Sequence, residues 1–401
     1  MRYKGLLIGM ASLILAACST SSERVYKPAP SSPLYPANLA WANKLPEIGP
    51  DRFAQLSPAI DKDAIIVADI EGKLSAYALG DGELLWQKHY DSPFSAGPNL
   101  YGQVAFLGNK SAEVYSIDTE SGKTLWVHKV SSEVLVPPQL SGDMVVVQTN
   151  DGKIFGLRAD NGKKVWVYER NVPILSLRGN STPAVLNNEQ VVVGFANGKL
   201  VSLSLADGKL LWETTVSLPK GRTELERIVD IDGPIVHSQG VLYVSAYRGR
   251  IAAVDARSGR IMWTREMSSH LGVVVNQDLL FTTDAEGQVW ALNRENGATL
   301  WMQNKLSERA TTLPAVQGDR LIIGDVTGEL YWLAKSDGRL LGHLDHDQVS
   351  KSSGATFIAD ELDGEEPNNE LTSVVFQPLV SGNHVLVTYQ NGILASIATQ
   401  H

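Results

Sequence analysis

Residues Asp160–Trp166 read DNGKKVW, and close copies of this stretch recur along the chain. Each copy joins a turn containing glycine to a tryptophan four residues later. Intervals of about 38 to 51 residues separate successive copies, and the tryptophans that end them are Trp86, Trp126, Trp166, Trp212, Trp263 and Trp301. A seventh copy, SDGRLLG, has Gly342 in place of the tryptophan. A period of this length indicates a repeat architecture in which each copy is one supersecondary unit.

One repeat shows what the unit contains. Between Met144 and Glu169 a β-branched run, an alternating run and a tryptophan-containing run are separated by Asn150–Gly152 and Asp160–Gly162. Turns of this type supply the positive φ that tight hairpins need, and alternating apolar runs between them are typical of antiparallel strands. A further strand fits around Val136–Leu140. The sequence therefore predicts four antiparallel strands in each repeat.

Four-stranded sheets of this kind bury both faces only when they stack around an axis. The repeated tryptophan is expected to pack one sheet onto the next. Eight copies of the inner hairpin begin at Gly72, Ala112, Gly152, Gly198, Gly249, Gly287, Gly328 and Gly392. The last copy ends without its outer strand, whereas Leu39–Leu45 near the other terminus is strand-like and contains Trp41. We therefore predict an all-β, eight-bladed β-propeller over residues 37–401, with four-stranded antiparallel blades and an N-terminal strand that closes the ring.

The N-terminus predicts export and lipid attachment. Residues 1–17 combine Arg2 and Lys4 with an apolar stretch too short to span a bilayer as a helix, which is typical of a bacterial signal peptide. Leu15–Cys18 resembles the lipobox of bacterial lipoproteins, and Cys18 is the only cysteine of the chain. Residues 18–36 are rich in Ser and Pro and are expected to form a flexible tether behind the lipidated cysteine. The lipid at Cys18 is then the expected membrane attachment.

Charge argues against one class of partner. The formal net charge is −9, and loss of residues 1–17 with Arg2 and Lys4 would make it −11. Nucleic-acid binding needs a basic surface. No nucleic-acid partner is therefore expected.

The repeats resemble a known family. Asp/Asn-Gly followed by a tryptophan, behind strands such as Ala253–Asp255 and Ala291–Asn293, resembles the repeats of pyrroloquinoline quinone (PQQ) enzymes. Together with the lipobox and the eight copies, the chain resembles the lipoprotein subunits of the outer-membrane β-barrel assembly machinery. The resemblance implies a scaffold without catalytic residues or cofactor, tethered to the periplasmic face of the outer membrane. Ser19, rather than Asp, after the cysteine fits sorting to that membrane.

The resemblance also implies a partner-binding site. Two segments match family loops that bind a POTRA domain of the barrel subunit, LSLRGNSTP at Leu175–Pro183 and RIVDID at Arg227–Asp232. The implied partner-binding residues are Leu175, Leu177, Arg178, Asp230 and Asp232.

The side chains of these segments fit such a role. The two leucines would give an apolar face, and the guanidinium would pair with carboxylates. The alternative is internal: the leucines would be core residues, and Arg178 would pair with Asp230 or Asp232 of its own chain. Nascent outer-membrane proteins are further expected partners, through an exposed strand edge.

The rival interpretation is a PQQ-dependent periplasmic dehydrogenase. Such enzymes place a vicinal cysteine disulfide against the cofactor and hold Ca²⁺ in a cage of oxygens. This chain has one cysteine, and Asp230 with Asp232 falls short of the six to eight oxygens that calcium takes. His343–Asp347 is interpreted as a polar loop rather than a metal site, and the acidic run Asp360–Glu366 as a solvated loop or a second candidate for partner binding. No cofactor and no metal are therefore expected.

Overall fold

The protein is an eight-bladed ring of four-stranded antiparallel sheets. The computed structural model describes residues 30–46, 55–170, 181–218, 229–231, 233–345 and 373–399. Within these ranges every regular element is a β-strand, and the strands form eight sheets of four. The predicted all-β propeller with eight antiparallel blades is confirmed.

The blades follow one another along the chain, and blades 1 to 7 each consist of four consecutive strands. Blade 1 contains β2 (Ala59–Asp61), β3 (Ala64–Ala68), β4 (Lys73–Ala78) and β5 (Leu84–His89), and blade 2 contains β6 (Phe94–Tyr101), β7 (Val104–Asn109), β8 (Glu113–Asp118) and β9 (Thr124–Lys129). Blade 3 contains β10 (Gln139–Ser141), β11 (Met144–Gln148), β12 (Lys153–Arg158) and β13 (Lys164–Glu169), and blade 4 contains β14 (Ala184–Leu186), β15 (Gln190–Gly194), β16 (Lys199–Ser204) and β17 (Leu210–Thr215). Blade 5 contains β18 (Val236–Ser238), β19 (Val241–Ser245), β20 (Arg250–Asp255) and β21 (Ile261–Glu266). Blade 6 contains β22 (Val274–Asn276), β23 (Leu279–Thr283), β24 (Val289–Asn293) and β25 (Thr299–Gln303). Blade 7 contains β26 (Ala315–Gln317), β27 (Arg320–Gly324), β28 (Leu330–Ala334) and β29 (Leu340–Leu344). Blade 8 contains β30 (Leu379–Ser381), β31 (His384–Thr388), β32 (Ile393–Thr399) and, from the N-terminus, β1 (Ala37–Lys44).

Burial changes with distance from the axis of the ring. In blade 3 all five residues of β11 are buried, and four consecutive residues of β12 are buried as well. These middle strands lie between neighbouring blades, so both of their faces are covered. The outermost strand, β13, is largely exposed and buries only Trp166. The core is therefore a set of apolar clusters between adjacent blades.

The ring is closed by the N-terminal strand, as predicted. β1 pairs with β32, from Ala37 opposite Thr399 to Lys44 opposite Ile393. Beyond the strand, the Leu45 N–H donates to the Gly392 carbonyl at 2.7 Å. The strand predicted around Val136–Leu140 is shorter than expected, because β10 begins at Gln139 after two consecutive prolines.

The repeated tryptophan joins neighbouring blades. The Trp166 indole N–H donates to the Leu205 carbonyl of blade 4 at 2.8 Å, and its ring covers Gly208 in the last turn of that blade. A small residue, Gly156, stands opposite Trp166 on the adjacent strand and leaves room for the ring. The same donation links seven pairs of blades, from Trp41 to Leu79, Trp86 to Thr119, Trp126 to Ala159, Trp166 to Leu205, Trp212 to Ala256, Trp263 to Arg294 and Trp301 to Lys335. The predicted packing role of the tryptophan is confirmed.

Candidate docking surface

The strand ends divide between two rims of the ring. In blade 3 the end of β13 lies beside the start of β12, because Glu169 pairs with Lys153. The linker that leaves β13 therefore shares a rim with the turn between β11 and β12. We call this rim, which holds the interblade linkers and the second turn of each blade, the linker rim. The opposite turn rim holds the first and third turns, such as Asp160–Gly162.

Two interblade segments on the linker rim flank blade 4. We call residues 171–180 loop 3–4 and residues 219–232 loop 4–5. Loop 3–4 leaves the ring at Arg170 and returns at Ser181, and loop 4–5 leaves at Leu218 and returns through Val229–Ile231 to Gly233. Most of both loops lies outside the described residues, but their ends are described and fix where each one begins and ends.

The departure point of loop 3–4 is held by an ion-pair network. The Arg170 guanidinium donates to one carboxylate oxygen of Glu213 at 2.6 Å, and the Lys199 ammonium donates to the other at 2.5 Å. Arg170 also lies over the Phe195 ring, 5.5 Å from its centroid. These hydrogen bonds, first that from Arg170, lower the pKa of the Glu213 carboxyl to about 2. Arg170 of blade 3 is thereby fixed to blade 4.

The return points of both loops meet at one residue of blade 4. The Gly194 N–H donates to the Ser181 hydroxyl at 2.9 Å, directly after loop 3–4. A Cβ built on Gly194 would lie 2.6 Å from that hydroxyl and 2.7 Å from a methyl carbon of Ile231 in loop 4–5. The Gln148 amide donates to the Gly194 carbonyl at 3.2 Å. The points where the two loops return to the ring are therefore neighbours on the linker rim.

Of the five implied site residues, one lies within the described part of the chain and four lie outside it. Leu175, Leu177, Arg178 and Asp232 lie outside the described residues. Asp230 is fully buried between Val229 and Ile231, and its backbone carbonyl accepts a hydrogen bond from Tyr247 N–H at 2.9 Å. Its carboxylate is thus shielded from solvent. Such a residue can set the conformation of the loop from within.

The ends of the two loops depend on residues that the sequence did not single out. Arg170, Glu213 and Gly194 lie in three different parts of the chain, and Arg170 and Gly194 look ordinary in a single sequence. Glu213 directly follows the tryptophan of its repeat, where the other copies have Gln87, Val127, Val167, Thr264 and Met302. That departure from the repeat was the one available signal.

A second candidate surface runs around the perimeter of the ring. Of thirteen exposed large apolar side chains among the described residues, eleven lie on the outermost strands of blades 1 to 6. They are Leu84, Leu85, Leu125, Val127, Val165, Val167, Leu210, Leu211, Met262, Leu300 and Met302. Each of these strands is the last of its sheet, so one side of its backbone has no neighbouring strand. Apolar side chains beside a free backbone edge favour the addition of another strand.

The described residues offer little for redox chemistry or metal binding. No cluster of three or more His, Cys, Asp or Glu side chains suited to a metal occurs in the described ranges. His343 belongs to β29 rather than to the polar loop predicted for residues 343–347, and His346 and Asp347 lie outside the described part. Beside the innermost strands β2, β6 and β30, a cavity of about 450 Å³ is lined by Gln55, Ser57, Asn99 and apolar residues, without an ionisable side chain. Within the same ranges, no helix long and apolar enough to cross a bilayer is found.

Comparison with known proteins identifies the family. A family model described as outer membrane protein assembly factor BamB matches residues 70–303. The protein of that name from Pseudomonas aeruginosa is 38% identical over 343 residues, which are 84% of this chain and 90% of the relative. The crystal structure of BamB from Moraxella catarrhalis matches with a TM-score of 0.75 and 27% identity, over 90% of this chain and 99% of its own.

A likeness to a quinone enzyme is more distant. Quinohemoprotein alcohol dehydrogenase from Comamonas testosteroni has 11% identity and a TM-score of 0.67, over 91% of this chain and 77% of its own. At that identity the likeness concerns the fold alone. The family model and the curated relative both extend over more than half of the chain, and on that evidence the chain belongs to the family of the outer membrane protein assembly factor BamB.

Proposed function

We propose that this chain is a non-catalytic scaffold of the machinery that assembles β-barrel proteins in the outer membrane. Its relatives carry the name outer membrane protein assembly factor. The observation that most supports docking is that the return points of loops 3–4 and 4–5, at Ser181 and Ile231, both contact Gly194. Loops held at their ends by a rigid scaffold are the usual place for partner recognition. Purified protein is accordingly expected to show no quinone-dependent dye reduction with alcohols or sugars.

The proposed docking residues are those of the two loops, and the proposed partner is a POTRA domain of the barrel subunit. Leu175 and Leu177 would contribute apolar contact area, and Arg178 and Asp232 would form charged hydrogen bonds that fix the register. Asp230 would act from inside loop 4–5, where its burial suits a residue that holds the loop in shape. The ion pairs of Arg170 and the hydrogen bond at Gly194 would reduce the ordering that binding requires.

Charge reversal on each rim tests this proposal. Arg178→Glu should abolish calorimetrically measured binding to the isolated POTRA domains, and its melting temperature should stay within a few degrees of the wild type. Arg257→Glu is the matched control, because Arg257 is an exposed arginine in the third turn of blade 5, on the turn rim. Unchanged binding by Arg178→Glu would place the docking surface elsewhere, with the acidic run Asp360–Glu366 as the next candidate. A large loss of stability would instead make Arg178 an internal brace.

We further propose that Cys18 carries the lipid that holds the scaffold on the periplasmic face of the membrane. The support is the lipobox Leu15–Cys18 in a chain without a second cysteine. Cys18→Ser should prevent lipid attachment, measured by metabolic labelling with palmitate. Label retained by the variant would contradict the proposal.

The outer edges of the blades are the proposed contact for nascent outer-membrane proteins. A barrel strand alternates apolar and polar residues, and it could add to an exposed edge through backbone hydrogen bonds. On β13, Val165 and Val167 are 47% and 38% exposed and lie on one side of the strand. A lysine at Val167 should weaken photo-crosslinking of a synthetic barrel-strand peptide to this edge. Asp160→Lys, on the turn rim, is the charge control, and equal crosslinking by the two variants would argue against the edge.

A further inference from the structure

Blade 7 lacks a tryptophan on its outer strand but carries one on the strand beside it. In blade 3, as in the other blades with an outer tryptophan, the large ring faces a small residue, in this case Trp166 opposite Gly156. In blade 7 the order is reversed, because Trp332 of β28 stands opposite Gly342 of β29. Trp332 is fully buried. The seventh repeat therefore retains its aromatic ring, on the inner strand of the pair.

The space above Gly342 is filled by the N-terminal segment Ser32–Tyr35, which we call the strap. The Tyr35 ring stacks on Trp332, with centroids 4.3 Å apart and planes within 1°. The Tyr35 N–H donates to the His343 carbonyl at 2.8 Å, and the His343 N–H donates to the Pro33 carbonyl at 3.1 Å. The strap is thus a short parallel strand added to the outer edge of blade 7.

Side chains secure both ends of the strap. The Ser32 hydroxyl and the Nδ1 atom of His343 are 2.8 Å apart. The Arg320 guanidinium donates to the Tyr35 hydroxyl and lies 5.7 Å from the centroid of the ring. Tyr35 is consequently only 8% exposed, although it precedes the first strand of the ring.

Gly342 is the residue that admits the strap. A Cβ built there would lie 2.9 Å from the Pro33 carbonyl oxygen and 3.1 Å from the Tyr35 nitrogen. A tryptophan at this position would also find no glycine turn to cover. In blade 8 the two outer strands, β32 and β1, are the two ends of the chain and are not joined by a hairpin. The missing tryptophan therefore accompanies ring closure.

The direction of the strap fixes where the preceding chain arrives. β29 runs from the turn rim to the linker rim, and the strap is parallel to it. The N-terminal end of the strap therefore points toward the turn rim. Loops 3–4 and 4–5 emerge from the linker rim, on the far side of the eight-bladed ring around blade 4. We propose that the strap is a docked latch that fixes the exit of the lipid tether at the turn rim of blade 7, away from the docking loops.

The consequence concerns how the ring sits on the membrane, and this part rests on the proposed lipid at Cys18. An extended chain spans at most about 3.4 Å per residue, so a tether from Cys18 to Ser32 reaches about 50 Å. A tether that stayed free up to Ala37 would reach about 65 Å. The latch thus shortens the reach of the tether by about 15 Å and attaches it on the side of the ring away from blades 3 and 4.

Releasing the latch tests the proposal. Nitroxide labels at Ser31→Cys and Asp337→Cys in the full lipoprotein, in phospholipid vesicles, should give one narrow distance distribution. Gly342→Val should broaden it and should increase deuterium uptake by peptides covering residues 31–37 about tenfold or more, because a side chain at 342 meets the strap backbone. Gly80→Val is the control, since a Cβ at Gly80 meets nothing within 4 Å.

A second variant guards against loss of folding. Tyr35→Ala removes the stacked ring without touching β29, and it should broaden the same distribution while the far-ultraviolet spectrum of the ring is kept. A broad distribution in the wild type, or unchanged distributions in both variants, would overturn the latch. The distance and deuterium-uptake measurements need no assembly partner, and vesicle flotation measures lipid attachment separately. Failure of the latch can therefore be distinguished from failure of docking and from failure of lipid anchoring.

Discussion

Replacing Trp166 with alanine should cost about 3–5 kcal/mol of stability. The side chain is only 7% exposed, so nearly all of an apolar surface of about 200 Å² would lose its cover. At about 25 cal/mol per Å² this corresponds to about 5 kcal/mol before the neighbours relax. The variant also loses the 2.8 Å hydrogen bond to the Leu205 carbonyl. The Trp166 ring is thus one of the large buried groups of the apolar cluster between blades 3 and 4.

Thermal unfolding followed by circular dichroism measures the effect. An unfolding entropy of about 2.1 cal/mol/K per residue, over about 370 residues, converts a loss of 4 kcal/mol into a fall of about 5 °C. Val165→Ala is the matched control, because Val165 precedes the tryptophan on the same strand and is 47% exposed. It should change stability by about 0.5 kcal/mol or less. Equal shifts for the two variants would refute the packing role of the ring.

A double-mutant cycle tests which atoms the ring contacts. Gly208 has φ +70°, and a Cβ there would lie 2.7 Å from the Trp166 ring. In the wild-type background, Gly208→Ala should lower stability through both backbone strain and overpacking against the ring; in the Trp166→Ala background it should lower stability through backbone strain alone. The expected coupling free energy between the two substitutions is about 1–3 kcal/mol. Gly240→Ala, with φ +78° and nothing within 4 Å, reports the strain by itself. Additive effects would contradict the contact.

Three other features of the ring can be tested by substitution, by pH and by truncation. Arg309→Met should lower the stability by about 3–5 kcal/mol, because it leaves the fully buried Asp325 carboxylate without the donor now 2.6 Å away, whereas Arg158→Met at an exposed ion pair should change little. Chemical denaturation of both variants would check this, and equal midpoints would contradict it. The pKa of Glu213 is lowered from 4.5 to about 2 in the folded protein, so the stability that its carboxylate contributes is complete above its ordinary pKa and is lost as pH falls toward 2. The difference in melting temperature between the wild type and Glu213→Gln should therefore shrink from pH 7 to pH 3, and a difference that widened would contradict this. Deletion through residue 44 removes β1 and should destabilise the ring far more than deletion of residues 18–31, and equal melting temperatures would refute closure by this strand.

The fold was predictable because the same four-stranded unit must bury its two faces against its neighbours in all eight blades. Six of the repeats carry both a turn glycine and the outer tryptophan, so one correct interpretation of the unit extends to all blades. Trp41, an isolated tryptophan in a strand-like segment, was sufficient to predict closure because the last repeat lacked an outer strand. Strand ends were less predictable, since β10 starts only after Pro137 and Pro138.

The exceptions depend on contacts between distant parts of the chain. Gly342 looked like a decayed repeat, yet it stands against Tyr35, which is far away in sequence. The sequence also extended the flexible tether to residue 36, whereas Pro33–Tyr35 are bound to blade 7. Burial of Asp230 could not be inferred from its polar side chain, because its neighbours Val229 and Ile231 belong to an apolar cluster between blades 4 and 5. For the same reason, the Arg170–Glu213 pair could not be found from spacing alone.

Site-specific photo-crosslinking in living cells tests the docking proposal most directly. A photoreactive phenylalanine derivative would replace Leu177 in loop 3–4 or, as the control, Arg257 on the turn rim. The proposal predicts an adduct with the barrel subunit of the assembly machinery from position 177, and none from position 257. An adduct from position 257 without one from position 177 would contradict docking through the linker rim.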